Sequence, residues 1–207
     1  AQEHVKKHQG GIIWHMQGSG KSIVMVMLAK WVLENNPHAR VAVITDRTEL
    51  DKQIHSVFTL AGEPMYRTTS GRDLLEKLGK TRPRLLCSLI QKFGRQSAKN
   101  FETFIRELES QPCQAVGDLF VFVDECHRTE SGRLHRTMKA VLKDAVFIGF
   151  TGTPLLKKDK PTTHEVFGDY IHTYKFNEAV EDGIVLDLVY EARDIDQRLM
   201  SQEDIDA

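Results

Sequence analysis

Short apolar runs alternate along this chain with longer stretches in which apolar residues recur at helical spacing. Apolar runs bounded by polar or glycine-containing turns are typical of strands that are buried on both faces of a sheet. The sequence therefore predicts strands over residues 12–14, 41–44, 84–90, 120–123, 146–150, 170–176 and 184–192.

Helical patterns fill most of the intervals between these strands. Residues 23–33 are apolar on nearly every face, as expected of a helix packed between a sheet and its neighbours. Further helices are predicted after Thr48 and over residues 70–78, 101–108, 134–142 and 177–182. Alternation of strands and helices predicts an α/β fold with a mostly parallel sheet and helices on both faces.

The first predicted strand runs directly into a glycine-rich turn and then into the first long helix, with the sequence GGIIWHMQGSGKS. Glycine permits backbone conformations in which successive N–H groups converge on a polyphosphate, and a helix N-terminus adds positive potential. The candidate nucleotide-binding residues are Gly18, Ser19, Gly20, Lys21 and Ser22. The usual template places a further glycine where this chain has His15, and a flexible surface loop is the alternative interpretation.

A second candidate group follows the strand at 120–123, where the chain continues Asp124-Glu125-Cys126-His127. Polar groups at the carboxyl ends of parallel strands meet at one edge of the sheet. Asp124, together with the Ser22 hydroxyl, is suited to hold Mg²⁺, and Glu125 is suited to polarise an attacking water. The predicted catalytic residues are therefore Lys21, Asp124 and Glu125, and the alternative is a solvated acidic turn.

Composition places limits on the class of protein. The chain has 207 residues of which 41% are hydrophobic, enough for one sizeable α/β domain. Its net charge of -1 gives no general sign of a nucleic-acid partner. Three cysteines without C-x-x-C spacing fit free thiols in a reducing cytoplasm, and a zinc site at Cys126 and His127 is disfavoured. No apolar run reaches the ~18 residues of a membrane span.

Local positive charge offers candidate contacts to a nucleic-acid backbone. Arg47 leaves the predicted strand at 41–44, and Lys157 and Lys158 lie in the densest basic loop of the sequence. Arg47 is equally compatible with an ordinary surface charge, and a lysine-rich loop is usually simply solvated.

The ordered set GSGKS, Thr45-Asp46-Arg47, Asp124-Glu125-Cys126-His127 and Thr151-Gly152-Thr153 resembles the first RecA-like P-loop NTPase lobe of superfamily 2 helicases and translocases. The chain is more closely similar to the motor subunit of type I restriction-modification enzymes. That likeness is carried by ITDRTELDKQI, VDECHR, FIGFTGTPL and FGDYIHTYKFNEAVEDGIVLDLVYEAR, and it extends from about Gly10 to Arg193.

The resemblance implies an ATP- and Mg²⁺-dependent double-stranded DNA translocase that also cleaves DNA. Residues 1–193 would form the first motor lobe, and residues 194–207 an acidic linker towards a second lobe. Thr151, Gly152 and Thr153 would couple the nucleotide state to movement on DNA. The implied partners are double-stranded DNA, a second motor lobe, a nuclease domain, and methylation and specificity subunits. The family's nuclease element includes D/E-x-K, which this chain lacks, so the nuclease is expected elsewhere.

Three alternatives remain open at this stage. Another superfamily 2 ATPase could act on RNA or DNA, because backbone contacts carry little sequence information. A P-loop small-molecule kinase could use the same glycine loop but would need an acceptor pocket. A non-catalytic interaction module is disfavoured because Lys21, Ser22, Asp124 and Glu125 are all present.

Overall fold

A computed structural model describes residues 1–45, 52, 55–56, 58–60, 64–89, 97–110, 114–124, 136–153 and 167–187. Four of the predicted functional residues lie outside these ranges, namely Arg47, Glu125, Lys157 and Lys158. The predicted linker at 194–207 is also outside them, so the domain boundary stays a prediction.

Seven strands and five bounded helices make up most of the described structure. The strands are β1 Gly11–His15, β2 Ala39–Thr45, β3 Met65–Thr68, β4 Leu85–Leu89, β5 Asp118–Asp124, β6 Val146–Thr151 and β7 Tyr170–Tyr174. The helices are α1 Gln2–Lys6, α2 Lys21–Asn35, α3 Gly71–Leu78, α4 Ser97–Glu109 and α5 Phe176–Glu181. Residues 136–141 are also helical, within the predicted helix at 134–142.

The strands form one sheet in the order β3-β4-β2-β5-β6-β1-β7. Every recorded pairing between them is parallel. Parallel neighbours need crossover connections, and the helices supply these along the chain. The expected α/β fold with a parallel sheet is thereby confirmed.

The hydrophobic core lies in two layers, one on each face of the sheet. Successive strand residues point to opposite faces, so that Val41 and Val43 join one layer while Ala42 and Ile44 join the other. Helix α2 packs in the first layer, and helices α3 and α4 pack in the second. The prediction of helices on both faces is confirmed, and its cause is the continuous apolar composition of the central strands.

Two arginine side chains at the amino-terminal side of the sheet form hydrogen bonds to the ends of helices. Arg40, only 2% exposed, donates to the carbonyl oxygens of Lys77, Leu78 and Pro83 at 2.7, 2.6 and 2.8 Å. Arg84 donates in the same way to the carbonyls of Leu33 and Asn36, both at 2.7 Å, at the end of α2. Because the last carbonyls of a helix lack intrahelical donors, these guanidinium groups satisfy them.

Three features differ from the sequence-based expectations. Strand β3 was not predicted, because MYRT is short, lies at the edge of the sheet and buries only Thr68 fully. Helix α1 was not predicted either. The strand expected over 184–192 is wrong where the structure describes it: Gly183 has a φ of 69°, and the N–H groups of Ile184 and Val185 both donate to the carbonyl of Ala179.

Candidate nucleotide-binding site

The glycine-rich turn leaves β1 and leads directly into α2. Gly18 and Gly20 have φ values of 88° and 80°, in the left-handed region that glycine adopts without steric cost. Ser19 closes the turn, since its hydroxyl donates to the carbonyl of Met16 at 2.7 Å. Gly20 is the N-cap of α2, so Lys21 and Ser22 are the first two residues of the helix. The first N–H groups of a helix have no intrahelical acceptor and form an anion-binding end.

A buried carboxylate faces this helix end. Asp124 is the last residue of β5, and its Oδ1 lies 3.5 Å from Nζ of Lys21. The Asp124 side chain is 1% exposed and that of Lys21 is 13% exposed, so this ion pair is largely shielded from water. Thr45, at the end of β2, donates its hydroxyl to Oδ2 of Asp124 at 3.3 Å. A buried charge requires such partners.

Strand order explains why residues so distant in sequence meet here. In the sheet, β6 lies between β5 and β1, and β2 lies on the other side of β5. The register pairs Ile44 with Val123, Asp124 with Phe150, and Trp14 with Thr151, so the four strands end at nearly the same level. Lys21, which follows the loop after β1, therefore reaches past the end of β6 to Asp124.

The segment that follows β6 also lies at this edge. Thr151 is fully buried, and its Oγ1 accepts a hydrogen bond from the N–H of Thr153 at 3.1 Å. A Cβ atom placed on Gly152 would lie 3.4 Å from N of Gln17 and 3.5 Å from the carbonyl oxygen of His15. The segment Thr151-Gly152-Thr153 is thus packed against the beginning of the phosphate loop.

His15, which replaces the first glycine of the usual template, is accommodated on the side facing β7. It is 7% exposed, and its Nε2 lies 2.9 Å from Nδ1 of His172, so one of these two nitrogens carries the shared proton. Burial lowers the pKa of His15 below its ordinary value, and the neighbouring His172 and Lys21 lower it further, whereas Glu178 acts in the opposite direction. The ring also lies 5.6 Å from that of Tyr174, measured between centroids.

Within the described ranges, the structure brings the residues singled out from the sequence to one edge of the sheet. Lys21 and Asp124 are in contact, and Gly152 packs against the start of the glycine loop that precedes Lys21. The sequence placed Thr45 in the motif Thr45-Asp46-Arg47 but did not predict its hydrogen bond to Asp124. His172 and Trp14 were missed as members of this region, and His172 carried no usable signal in the sequence.

The site is separate from a cavity found within the described part of the chain. That cavity, of about 610 Å³, lies at the amino-terminal ends of β5 and β6, at the opposite edge of the sheet. Across the described ranges, no three His, Cys, Asp or Glu residues are grouped in a way that would hold a metal ion. No helix within those ranges is long and apolar enough to cross a membrane.

Comparison with known proteins finds relatives among type I restriction endonuclease subunits. The type I restriction enzyme HindI endonuclease subunit of Haemophilus influenzae is 33% identical over 219 residues, covering 95% of this chain and 19% of its own length. The chain spans about a fifth of the length of the curated relatives it matches. The likeness to type I restriction endonuclease subunits expected from the sequence is therefore confirmed.

Two solved structures share the fold. One is a nuclease-deletion mutant of the type ISP restriction-modification enzyme LlaGI in complex with a DNA substrate mimic, with a TM-score of 0.58, 14% identity, and coverage of 88% of this chain and 19% of that one. The other is the Hef helicase domain of Pyrococcus furiosus, with a TM-score of 0.57, 17% identity, and coverage of 84% and 36%. Both show that the fold is that of a RecA-like lobe. The profile of the SWI2/SNF2 ATPase family matches residues 1–207, and the chain belongs to that family.

Proposed function

We propose that this chain is the ATP-binding motor lobe of a double-stranded DNA translocase that forms part of a type I restriction endonuclease. The observation that carries the proposal is the 3.5 Å contact between the Lys21 ammonium and the buried Asp124 carboxylate, beside a glycine turn that opens a helix. A cation, a carboxylate and a helix N-terminus at one point suit the triphosphate of a nucleotide with its magnesium ion.

The residues present fit ATP and Mg²⁺ by their chemistry. Magnesium prefers oxygen ligands and is commonly held by one or two protein oxygens together with phosphate groups. The Ser22 hydroxyl and the Asp124 carboxylate would hold the metal. The backbone from Gly18 to Gly20 and the Lys21 ammonium would hold the phosphates. Bound magnesium would neutralise charge that develops on the transferred phosphoryl group.

Each protein group then has a limited task. Thr45 orients the Asp124 carboxylate through its hydroxyl hydrogen bond. Lys21 supplies a positive charge that is already fixed at the site, so little reorganisation is needed when a phosphate is bound. Glu125, the next residue after Asp124, is proposed to polarise the attacking water.

A single lobe is expected to hydrolyse ATP slowly. In P-loop ATPases an arginine supplied by another element stabilises the transition state by a factor on the order of 10³ or more. We propose that this arginine comes from a second motor lobe of a longer polypeptide, which also contains the nuclease domain. That polypeptide would act in the cytoplasm with methylation and specificity subunits, and Arg47, Lys157 and Lys158 would contact the DNA backbone.

Isothermal calorimetry with ATP and Mg²⁺ tests the site directly. We expect the wild-type chain to bind the nucleotide and the variant Lys21→Ala to lose binding, because the fixed positive charge is removed. Lys30→Ala is the matched control, since Lys30 is a lysine of the same helix that pairs with Glu34 at 3.6 Å on the exposed surface. Equal affinity in wild type and Lys21→Ala would refute the site.

The motor activity requires a second measurement, in the longer polypeptide assembled with its methylation and specificity subunits. Duplex DNA should stimulate ATP hydrolysis, and Lys21→Ala should abolish the stimulated rate. Stimulation by RNA alone would indicate an RNA-dependent ATPase, and phosphorylation of a small acceptor without any DNA effect would indicate a kinase. Either result would refute the proposed translocase.

A further inference from the structure

The indole of Trp14 links the strand that delivers the phosphate loop to the segment after β6. Trp14 is the penultimate residue of β1 and pairs in register with Thr151 of β6. Its Nε1–H donates to the carbonyl oxygen of Gly152 at 3.1 Å in a partly buried environment. A buried indole N–H usually has such a partner, but here the partner lies in Thr151-Gly152-Thr153.

The same segment also packs against the backbone at the start of the phosphate loop. Gly152 packs on the backbone of His15 and Gln17, where an added Cβ would be at 3.5 and 3.4 Å. The Gly152 peptide is therefore held between two parts of one continuous stretch, the Trp14 side chain and the backbone that follows it. A displacement of this stretch is transmitted to Gly152 through both contacts.

The Trp14 ring is itself held in place by two neighbours. The ring of Tyr170 lies 5.8 Å away between centroids, and Nζ of Lys175 lies 5.5 Å from the Trp14 ring centroid. Lys175 is the N-cap of α5, and its N–H donates to the Glu178 carboxylate at 2.6 Å. An aromatic ring fixed by an aromatic and a cationic neighbour has little freedom to release its hydrogen bond.

We propose that Trp14 is a positioning residue that keeps Thr151-Gly152-Thr153 in register with the phosphate loop, so that a nucleotide-dependent shift of the loop moves this segment. This inference rests on the proposed function and assigns Trp14 a part in the coupling of ATP hydrolysis to DNA. Trp14 does not contact the phosphates in this scheme; it acts through the Gly152 carbonyl.

The variant Trp14→Phe in the longer polypeptide tests the proposal, because it keeps an aromatic ring and removes the N–H donor. Loss of one hydrogen bond is expected to lower the DNA-stimulated kcat by about three- to ten-fold. The KM for ATP should change by less than about two-fold, since binding groups are untouched. Trp31→Phe is the matched control: Trp31 is the other tryptophan of this chain, it lies on α2 with Lys6 over its ring, and its stimulated kcat should equal that of wild type.

Replacing Trp14 with β-(3-benzothienyl)alanine removes the donor while preserving the ring shape, which keeps the test valid if Trp14→Phe folds poorly. A lowered DNA-stimulated kcat with unchanged ATP KM and thermal midpoint supports the proposal. A wild-type stimulated kcat in this variant overturns it, as does a parallel loss of ATP affinity and thermal stability, which would mean a purely structural role. If wild type itself shows no DNA stimulation, the proposed function fails instead.

Discussion

Nζ of Lys21 lies 3.5 Å from Oδ1 of Asp124, although the two residues belong to elements far apart in sequence. This ion pair is mostly buried, so water screens the attraction between its two charges only weakly. Removing one partner of such a pair leaves the other charge less well compensated and is destabilising.

A double-mutant cycle measures the coupling energy between these two charges. We expect Lys21→Ala to lower the free energy of unfolding by about 1–3 kcal/mol, because the Asp124 carboxylate loses its ammonium partner. In Lys21→Ala/Asp124→Asn the loss should be smaller than the sum of the two single losses, with a coupling energy of at least about 0.5 kcal/mol. Urea denaturation at neutral pH gives all four values.

The exposed pair Lys30–Glu34 is the control for that cycle. Its side chains are 45% and 55% exposed, so water and salt screen the attraction. The corresponding cycle should give a coupling of about 0–0.5 kcal/mol. Strict additivity at Lys21 and Asp124 would show that the two charges do not interact in solution.

The lowered pKa of His15 predicts that the folded protein loses stability at acidic pH. Its pKa in the folded chain is lowered from 6.5 by burial and by the adjacent His172 and Lys21, with Glu178 opposing them, so the folded state resists protonation. Below pH 6.5 the unfolded chain binds the proton more readily, and stability should fall as pH decreases to the lowered value. One proton contributes at most about 1.4 kcal/mol per pH unit.

The measurement compares wild type with His15→Gln by urea denaturation at pH 7.5, 6.5 and 5.5. The variant cannot take up that proton, so its stability should depend less steeply on pH. His38→Gln is a suitable control, because His38 lies on the surface away from the pair. Identical pH dependence of wild type and His15→Gln would contradict this account.

Substitution of Arg40, which lies outside the candidate site, is expected to lower the stability of the fold strongly. Substitution by Met keeps much of the side-chain volume but leaves the carbonyls of Lys77, Leu78 and Pro83 without this donor. We expect a loss of at least about 2 kcal/mol in the free energy of unfolding. Arg72→Met, at an exposed position of α3, should change it by less than about 0.5 kcal/mol. Comparable effects of the two substitutions would contradict the assignment.

Alanine substitutions at two glycines with left-handed φ distinguish the cost of backbone strain from the cost of a steric conflict. Gly117 and Gly183 have φ values of 81° and 69°, so alanine is strained at both by about 1–2 kcal/mol. At Gly117 the new Cβ would meet the carbonyl oxygen of His38, whereas at Gly183 no atom of the described residues lies within 4 Å of it. Thermal unfolding should show Gly117→Ala to be the more destabilising, and equal midpoints would argue against the close contact.

How well the sequence predicted each element depended on how much of that element is buried. Strand β2 is buried at all seven positions, and its apolar run marked it plainly. Strand β3 buries only one of its four residues and forms through its pairing with β4, so its local sequence gave little signal. The apolar stretch after Gly183 resembled a strand, but its first residues form a turn against Ala179, and Leu186 is 91% exposed.

Local sequence is enough to locate the glycine turn, the first helix and the acidic strand end, because glycine freedom and apolar periodicity act over a few neighbouring residues. The folded sheet was needed to show that β6 separates β1 from β5, that Thr45 hydrogen-bonds to Asp124, that His15 contacts His172, and that Trp14 hydrogen-bonds to Gly152. Strand order and register set these contacts. Both order and register result from the packing of the whole sheet, which no local sequence pattern encodes.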